Sequence, residues 1–576
     1  MGKLAALSLI LGLCFTSCSK YLTANPKEAG QLLSDEYYQD STQMYSALVA
    51  AYSGVRVNAC GFYNQIFCMN AASDDHYCGG GSPTDGSGVQ FVSNYTLNSI
   101  NIGDNTNGPA YLWYNYYIGI ANANTLLDNI GNATAVPDAI KTRMIAEAKA
   151  LRAFYYFNLV RIWGNIPLLL HPVPAADVWN ITQSTPSDIY KQIEQDFTEA
   201  IPDLPMFITA GEAGRMTQGA ATALLGKVYL FEGDGIPGAK NPDGSDALPG
   251  DPSKYALAAQ TLAKVNGSQS GNSFSSQYGY QLLTHYNDLW SNKLTSATPL
   301  FGNAPGRFNS ESIFEDVHTN QGQTGWGNWS AGTDLSNTLC TLVGPRSYSV
   351  NNPGANNPAP DLSTQGNWSF NPITQNCYDF MKSNMTGTDT RFAASVFDMD
   401  YLYNNGPDGP VASSDKDHDK KVYAIYSTTA GFQNTGYFLY KYMPLVSDET
   451  NMGGDKPINF QQDTYIIRLA DTYLLEAEAL LRSGGDANRA LALVNAVRAR
   501  AGATLLSGSL TVQQIWNERR LELMGEGHRW FDLVRTGQAA TVLASRGFTA
   551  GKNELFPIPY LEMQNQNFKQ NSGYPQ

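Results

Sequence analysis

Apolar residues first fall into a helical rhythm between residues 35 and 55, where Tyr45, Leu48, Tyr52 and Val55 share one face. The stripe recurs at Trp113, Tyr117, Ile120, Asn124, Leu127 and Ile130, and the polar exceptions Asn122 and Asn124 are expected to bond neighbouring helices. The clearest helix of the N-terminal half spans roughly residues 139–163, with Met144, Ala148, Leu151, Tyr155, Leu159 and Ile162 inward and Gly164 and Pro167 as its stop. Thr185-Pro186-Ser187-Asp188 caps the next, which turns Ile189, Ile193, Phe197 and Ala200 inward. Thr217 opens a small-residue helix through Leu224, Leu225, Val228 and Phe231, and a weaker partner covers residues 255–265. Near the C-terminus, Ile467, Ala470, Leu474, Ala477 and Leu481 form another stripe; Gly484-Gly485 breaks it, and Asp486 caps a partner ending near Arg500. Thr511 to Gln514 reads as the capping box of one more.

These helices group into about four consecutive antiparallel pairs, so the expected fold is mainly α, a tetratricopeptide-like scaffold without a strict repeat of ~34 residues. Two stretches rich in Gly, Asn, Ser and Thr interrupt it, residues 57–109 inside the first pair and 268–462 between the third and fourth. Loops of that length in a compact chain are functional or form a subdomain. The division expected is a helical region 35–267 with its insertion, an irregular loop-rich subdomain 268–462, and a C-terminal helical region 463–576.

Ahead of these lies an export signal. Lys3 provides a positive start and Leu4 to Phe15 an apolar run too short to span a bilayer. It ends in Phe15-Thr16-Ser17-Cys18, which resembles the lipobox of bacterial lipoproteins. Residues 1–17 are then a signal peptide, Cys18 the lipidated first residue, and 18–34 a tether. Cys14 is a poorer candidate because it follows Leu13. Export permits disulfides, and Cys60, Cys68 and Cys78 are close enough in sequence for one local bridge, with Cys340 and Cys377 remaining.

Composition narrows the partners. A net charge of −14 with only 15% charged residues in 576 disfavours nucleic acid. The 33 tyrosines among polar neighbours suit neutral hydroxylated ligands, because ring faces stack on C–H groups while amides and carboxylates bond hydroxyls.

Three blocks carry a family resemblance: Ala146-Glu147-Ala148-Lys149-Ala150-Leu151-Arg152-Ala153-Phe154-Tyr155-Tyr156-Phe157 through Trp163-Gly164-Asn165-Ile166-Pro167; Gly214-Arg215-Met216-Thr217; and Arg468-Leu469-Ala470-Asp471, continuing through Asn517-Glu518-Arg519-Arg520-Leu521-Glu522-Leu523, Gly527-His528-Arg529-Trp530-Phe531-Asp532 and Phe556-Pro557-Ile558-Pro559 to Asn571-Ser572-Gly573-Tyr574. In order and spacing the chain resembles the SusD/RagB family. The resemblance implies a surface lipoprotein of the outer membrane, held by its lipid anchor, that delivers oligosaccharide or polysaccharide to a SusC-like TonB-dependent transporter without turnover. The RagB branch leaves peptide as an alternative ligand.

Glu518 and Glu522 share a helix face and could suggest a surface glycosidase, but arginine neighbours would keep them ionised, as structural ion pairs. Arg152 with Glu147 invites the same structural reading. Asp415, Asp417 and Asp419 begin like a calcium loop, yet Lys420 and Tyr426 stand where Gly and Glu are needed, so neither cofactor nor metal is expected. Gly79-Gly80-Gly81 reads as merely flexible. The candidate carbohydrate-binding residues are Asp75 and Tyr77 in the first insertion, and Trp326, Asn328, Trp329 and Trp368 in the second: tryptophans in glycine-rich, aperiodic context are expected at the surface. Trp113, Trp163, Trp516 and Trp530 lie on patterned helices and are expected in the core.

Overall fold

The computed structural model describes residues 38–290, 306–319, 336–346, 349–351, 367–399, 416, 423–425, 430–443 and 459–575. Cys18, Trp326, Asn328, Trp329 and the Asp415, Asp417 and Asp419 turn lie outside them.

Among the described residues the helices are α1 Ser41–Tyr52, α2 Gln65–Ala72, α3 Ser87–Ser93, α4 Ala110–Asn129, α5 Asp138–Trp163, α6 Pro186–Ala200, α7 Gln218–Asp234, α8 Lys254–Asn266, α9 Thr338–Leu342, α10 Gln375–Asn384, α11 Arg391–Ser395, α12 Leu469–Ser483, α13 Ala487–Ala501, α14 Val512–Leu523, α15 Arg529–Arg535 and α16 Ala539–Val542. The four expected pairs are α1 with α4, α5 with α6, α7 with α8, and α12 with α13; each packs on the next, α4 on α5, α6 on α7 and α8 on α12. The caps read from sequence form: the side chains of Thr185, Thr217 and Asp486 accept first-turn amides, and Thr511 and Gln514 make a reciprocal box.

Close approach explains the tightness of the first two pairs. Gly119 of α4 leaves the space that the Tyr155 ring of α5 occupies, where a Cβ would sit 2.5 Å from the ring. Asn122 donates to the Ala50 carbonyl of α1 (3.0 Å), and Asn124 accepts from Arg152 of α5 (2.9 Å), as the polar exceptions suggested. Arg152 and Glu147 do not pair with each other: five residues apart, they face different directions on the helix. Arg152 forks onto Asp196 of α6 at 2.8 Å, whereas Glu147 takes Arg143 and Arg215.

The chain's end closes this scaffold. The Phe556 backbone amide donates to Ile162 O (2.7 Å) and the Asn571 side-chain amide to Trp163 O (2.8 Å), so the terminal motif satisfies carbonyls that α5 leaves open at its C-terminus. Trp113, Trp163 and Trp530 are buried, and Trp516 is half-buried with its indole N–H on Glu478.

The described strands are short: β1 Ser268–Ser270, β2 Ser273–Ser275, β3 Ser312–Asp316, β4 Ser349–Asn351, β5 Val396–Asp398, β6 Tyr423–Ile425, β7 Tyr437–Leu439 and β8 Thr464–Arg468, paired antiparallel as β1–β2, β3–β8, β4–β6 and β5–β7. The fully buried β3–β8 ribbon feeds directly into α12 and ties the irregular region to the scaffold.

Two expectations change. The insertion 57–109 is not a loose loop: it carries α2 and α3, with α2 packed on α15, and Asn70 donates to Gly525 O (2.9 Å) while accepting from the Gly527 amide. The local disulfide is not formed either, since Cys60, Cys68, Cys78, Cys340 and Cys377 are all buried thiols.

Truncating Arg152→Ala leaves the Asp196 carboxylate buried without its guanidinium, which costs ~3–5 kcal/mol. Urea unfolding should show that loss, and a midpoint unchanged from the parent would contradict the packing of α5 on α6.

Candidate functional site

The two segments singled out by their rings and glycines meet. Residues 74–81 and 367–374 run antiparallel as an irregular ribbon, with bridges at His76–Ile373 and Gly79–Phe370. Tyr77 N–H donates to Pro372 O (3.0 Å), Gly80 N–H to Ser369 O (2.8 Å) and Thr374 N–H to Asp75 O (2.9 Å).

The glycines make this pairing possible and are close-packed instead of flexible. At Gly79, φ is +75° and a Cβ would lie 2.2 Å from Ser369 O; at Gly80, φ is +91° and a Cβ would lie 2.5 Å from the Phe370 ring. Opposite them, Asn367, Ser369 and Asn371 all hold positive φ, between 49° and 59°. Left-handed backbone at several non-glycine residues is costly and clusters at ligand-facing sites. Here it flanks Trp368.

Trp368 sits half-buried against Phe62, with ring centroids 6.4 Å apart, and its carbonyl accepts from Arg346 (3.1 Å). Arg346 also approaches Asp85 at 3.5 Å, both side chains more than a third exposed. A ring with an exposed guanidinium and carboxylate beside it can stack on a sugar and bond its hydroxyls. Phe62, Arg346 and Asp85 were missed in the sequence; the only signals were the aromatic doublet Phe62-Tyr63 in a non-helical stretch and one isolated charge in a neutral segment.

At the other end of the ribbon, Tyr77 lines a polar cleft of about 410 Å³ with Asp74, Gln375, Asn376, Arg520, Arg529 and Arg546. Arg546 lies over the Tyr77 ring at 5.2 Å, which occupies that face. Asp75 is not presented to this cleft. It is fully buried and receives Arg520 at 2.6 Å, so its carboxylate anchors the insertion to α14. Burial pushes Asp74 up, but Arg529 and Arg520 outweigh it and hold the carboxyl below its usual range. His76 is driven down to about 4 by burial and is neutral at physiological pH.

Helix α14 radiates charge in four directions. Glu518 meets Arg391 at 2.6 Å and Arg498; Arg519 meets Asp471 (2.6 Å) and Asp532 (2.9 Å); Arg520 meets Asp75 and Asp74; and Glu522 meets Arg468 (2.7 Å) and Arg500. Burial raises the Glu522 carboxyl, but Arg500, Arg468 and Arg391 together bring it down to about 2. Both carboxylates are buried and taken up by arginines, so this pair serves as structural ion pairs and offers no sugar-facing dyad.

Stacked helix pairs with a ring-bearing ribbon at their side define a helical scaffold of the ligand-presenting class. Family models agree: residues 310–574 match the SusD family and residues 63–230 match a family described as starch-binding and associating with the outer membrane. A solved laminarin-binding SusD-like protein is 42% identical and superposes with a TM-score of 0.77 over 93% of this chain and 100% of its own. Surface glycan-binding protein A from Bacteroides thetaiotaomicron, solved with laminarihexaose, is 23% identical with a TM-score of 0.71 over 92% of this chain and 99% of its own, and shares the fold. SusD-like protein P25 of Formosa agariphila is 23% identical over 96% of this chain and 94% of its own. The chain belongs to the SusD family. No helix among the described residues is long and apolar enough to cross a membrane.

Because the folded pKa of Glu522 lies below the unfolded value of ~4.3, its stabilisation is complete above about pH 4.3 and is lost as pH falls through about 2, a contribution of roughly 3 kcal/mol. Glu522→Gln should therefore cost ~3–5 kcal/mol in urea unfolding at pH 7, with the gap to the parent narrowing as pH falls toward 2. An equal gap at both ends would refute the assigned ionisation.

Proposed function

We propose that this chain is a non-catalytic cell-surface lipoprotein that binds glycan of the laminarin class and hands it to a SusC-like TonB-dependent transporter. The observation that carries the reading is Trp368, raised beside Arg346 and Asp85 on a strained ribbon that only glycine at positions 79 and 80 lets form. Strained backbone of this kind clusters at ligand-facing sites, and here it packs Phe370 into the core while leaving the neighbouring Trp368 ring half-exposed. Laminarin is the favoured glycan because the relative that binds it is 42% identical across its whole length. Trp326, Asn328 and Trp329, which lie outside the described residues, are proposed with Trp368 and Tyr77 as the residues that contact glycan. Family membership supports the transporter partnership and the outer-membrane site, and in this reading Cys18 supplies the anchor: each buried CH₂ contributes ~0.8 kcal/mol, so several acyl chains hold the protein stably.

Isothermal titration with laminarin and laminarihexaose should give saturable binding and no released product, with Trp368→Ala weakening affinity about tenfold or more while the protein stays folded, as circular dichroism would show. Starch bound in preference to laminarin would replace the glycan named here, and saturable oligopeptide binding without any glycan binding would replace the glycan reading altogether. Expressed in a bacterium with lipoprotein processing, the parent should incorporate labelled fatty acid and Cys18→Ala should not; label retained by the variant would move the anchor elsewhere.

A further inference from the structure

A second cavity shares no residue with the ribbon. Helix α4 packs on α1 and on α5. Its remaining face, with Trp113, Tyr114, Tyr117 and Ala121, is left to the segment after Gly164 and to the chain's C-terminal turn, and a cleft of about 410 Å³ lies between them. That volume falls within the ~300–1,000 Å³ of small-molecule sites.

The rings of this cleft are held in place by the fold. Trp113 is buried, edge-on to Trp163 with centroids 5.3 Å apart and tilted against Tyr117 at 5.1 Å. The Tyr117 hydroxyl donates to Pro167 O (2.9 Å), and the Asn124 side chain donates to Leu169 O (2.9 Å), which fixes the facing wall. Phe568 is a fourth ring in the lining. Tyr560 N–H pins the C-terminal turn to Ser99 O (2.9 Å), and Asn565 donates to Ile181 O (3.1 Å).

Into this lining the turn Glu562–Gln564 brings a carboxylate. Burial raises the Glu562 carboxyl, and against it act only the Tyr114 hydroxyl and the Trp113 indole, both neutral donors. The carboxylates of α14 meet arginines; Glu562 meets no cation, and among the described residues the lining holds no lysine or arginine. His171 stands exposed at the edge and is bound to Asp128 (2.9 Å). The cleft thus presents an uncompensated carboxylate among aromatic faces.

A sugar finds few partners here. Both ends of the Asn124 amide are taken, by Leu169 O and by Arg152, the Tyr117 hydroxyl is given to Pro167, and His171 to Asp128. What remains is mostly apolar, and a carboxylate among ring faces complements an organic cation, because the ring quadrupole attracts positive charge and the carboxylate pairs with it.

We propose that this cleft binds an alkylammonium group, with the Glu562 carboxylate pairing with its charge and Trp113, Tyr114 and Tyr117 packing on the carbons around it. Ile118 in the lining and Leu561 beside Glu562 are exposed, so the mouth is apolar and receives an alkyl stem. The stem belongs to a free amine or to a lysine side chain, which share this chemistry. The assignment does not rest on the glycan reading.

Isothermal titration of the full mature chain with choline, and with a short lysine peptide beside its norleucine counterpart, tests the site. Choline should bind saturably, and its neutral analogue, with carbon in place of the ammonium nitrogen, at least about tenfold more weakly. Saturation by choline alone identifies a free amine; saturation by the lysine peptide and not by its norleucine counterpart identifies a polypeptide; either supports the site. Glu562→Gln should weaken the cation about tenfold or more, leaving the neutral analogue and laminarin unaffected. If Glu562→Gln does not fold, Ala121→Trp, at an exposed position of the lining, should fill the cleft and abolish cation binding. Equal affinity for choline and its neutral analogue, no binding of either cation at millimolar concentration, or a loss of laminarin binding in Glu562→Gln overturns the proposal.

Discussion

The constraint on which the structure depends is the buried charge on α14. Within one short helix, Glu518, Arg519, Arg520 and Glu522 reach the irregular region through Arg391, β8 through Arg468, the scaffold through Asp471, and the first insertion through Asp75. Moving such ions out of water costs several kcal/mol each, so the network adds less stability than apolar packing of equal volume would. What it fixes is geometry, because a buried carboxylate is tolerated only where its guanidinium waits. The chain's modest 15% of charged residues is thus spent partly inside, leaving a surface still more neutral than composition implied.

That geometry reaches the ribbon. Arg520 holds Asp75 at one end of the 74–81 segment, and the pairing of that segment with 367–374 then places Trp368. Scaffold, ion network and ring-bearing loop form one chain of consequence, in which the stiff part determines where the variable part can stand.

The helices were legible because their signals are local. Thr185, Thr217, Asp486 and Thr511 cap within four residues of where they stand, and a stripe of period 3.6 can be read without knowing what it packs against. The insertion 57–109 was harder, since Gln65–Ala72 is too short for its period to stand out, and its helix is stabilised by α15 from the far end of the chain. At the site, Tyr77 and Trp368 were legible as rings in polar, aperiodic segments. Asp75 was misjudged for the same reason: an acidic residue beside a glycine run looks solvated until the arginine that buries it is known.

The amino-acid sequence alone therefore determined the helical pairs, their caps, the family and the residue types from which a ligand surface is made, because each is encoded within a few turns of chain or in motifs whose order and spacing are read directly along it. Only the tertiary structure decided that residues 74–81 pair with 367–374, that Gly79 and Gly80 are close-packed, and that Cys60 meets His318 across 258 positions. Those outcomes rest on contacts between distant segments, whose cost in chain entropy is repaid collectively by the core and leaves no periodic mark on the residues that touch.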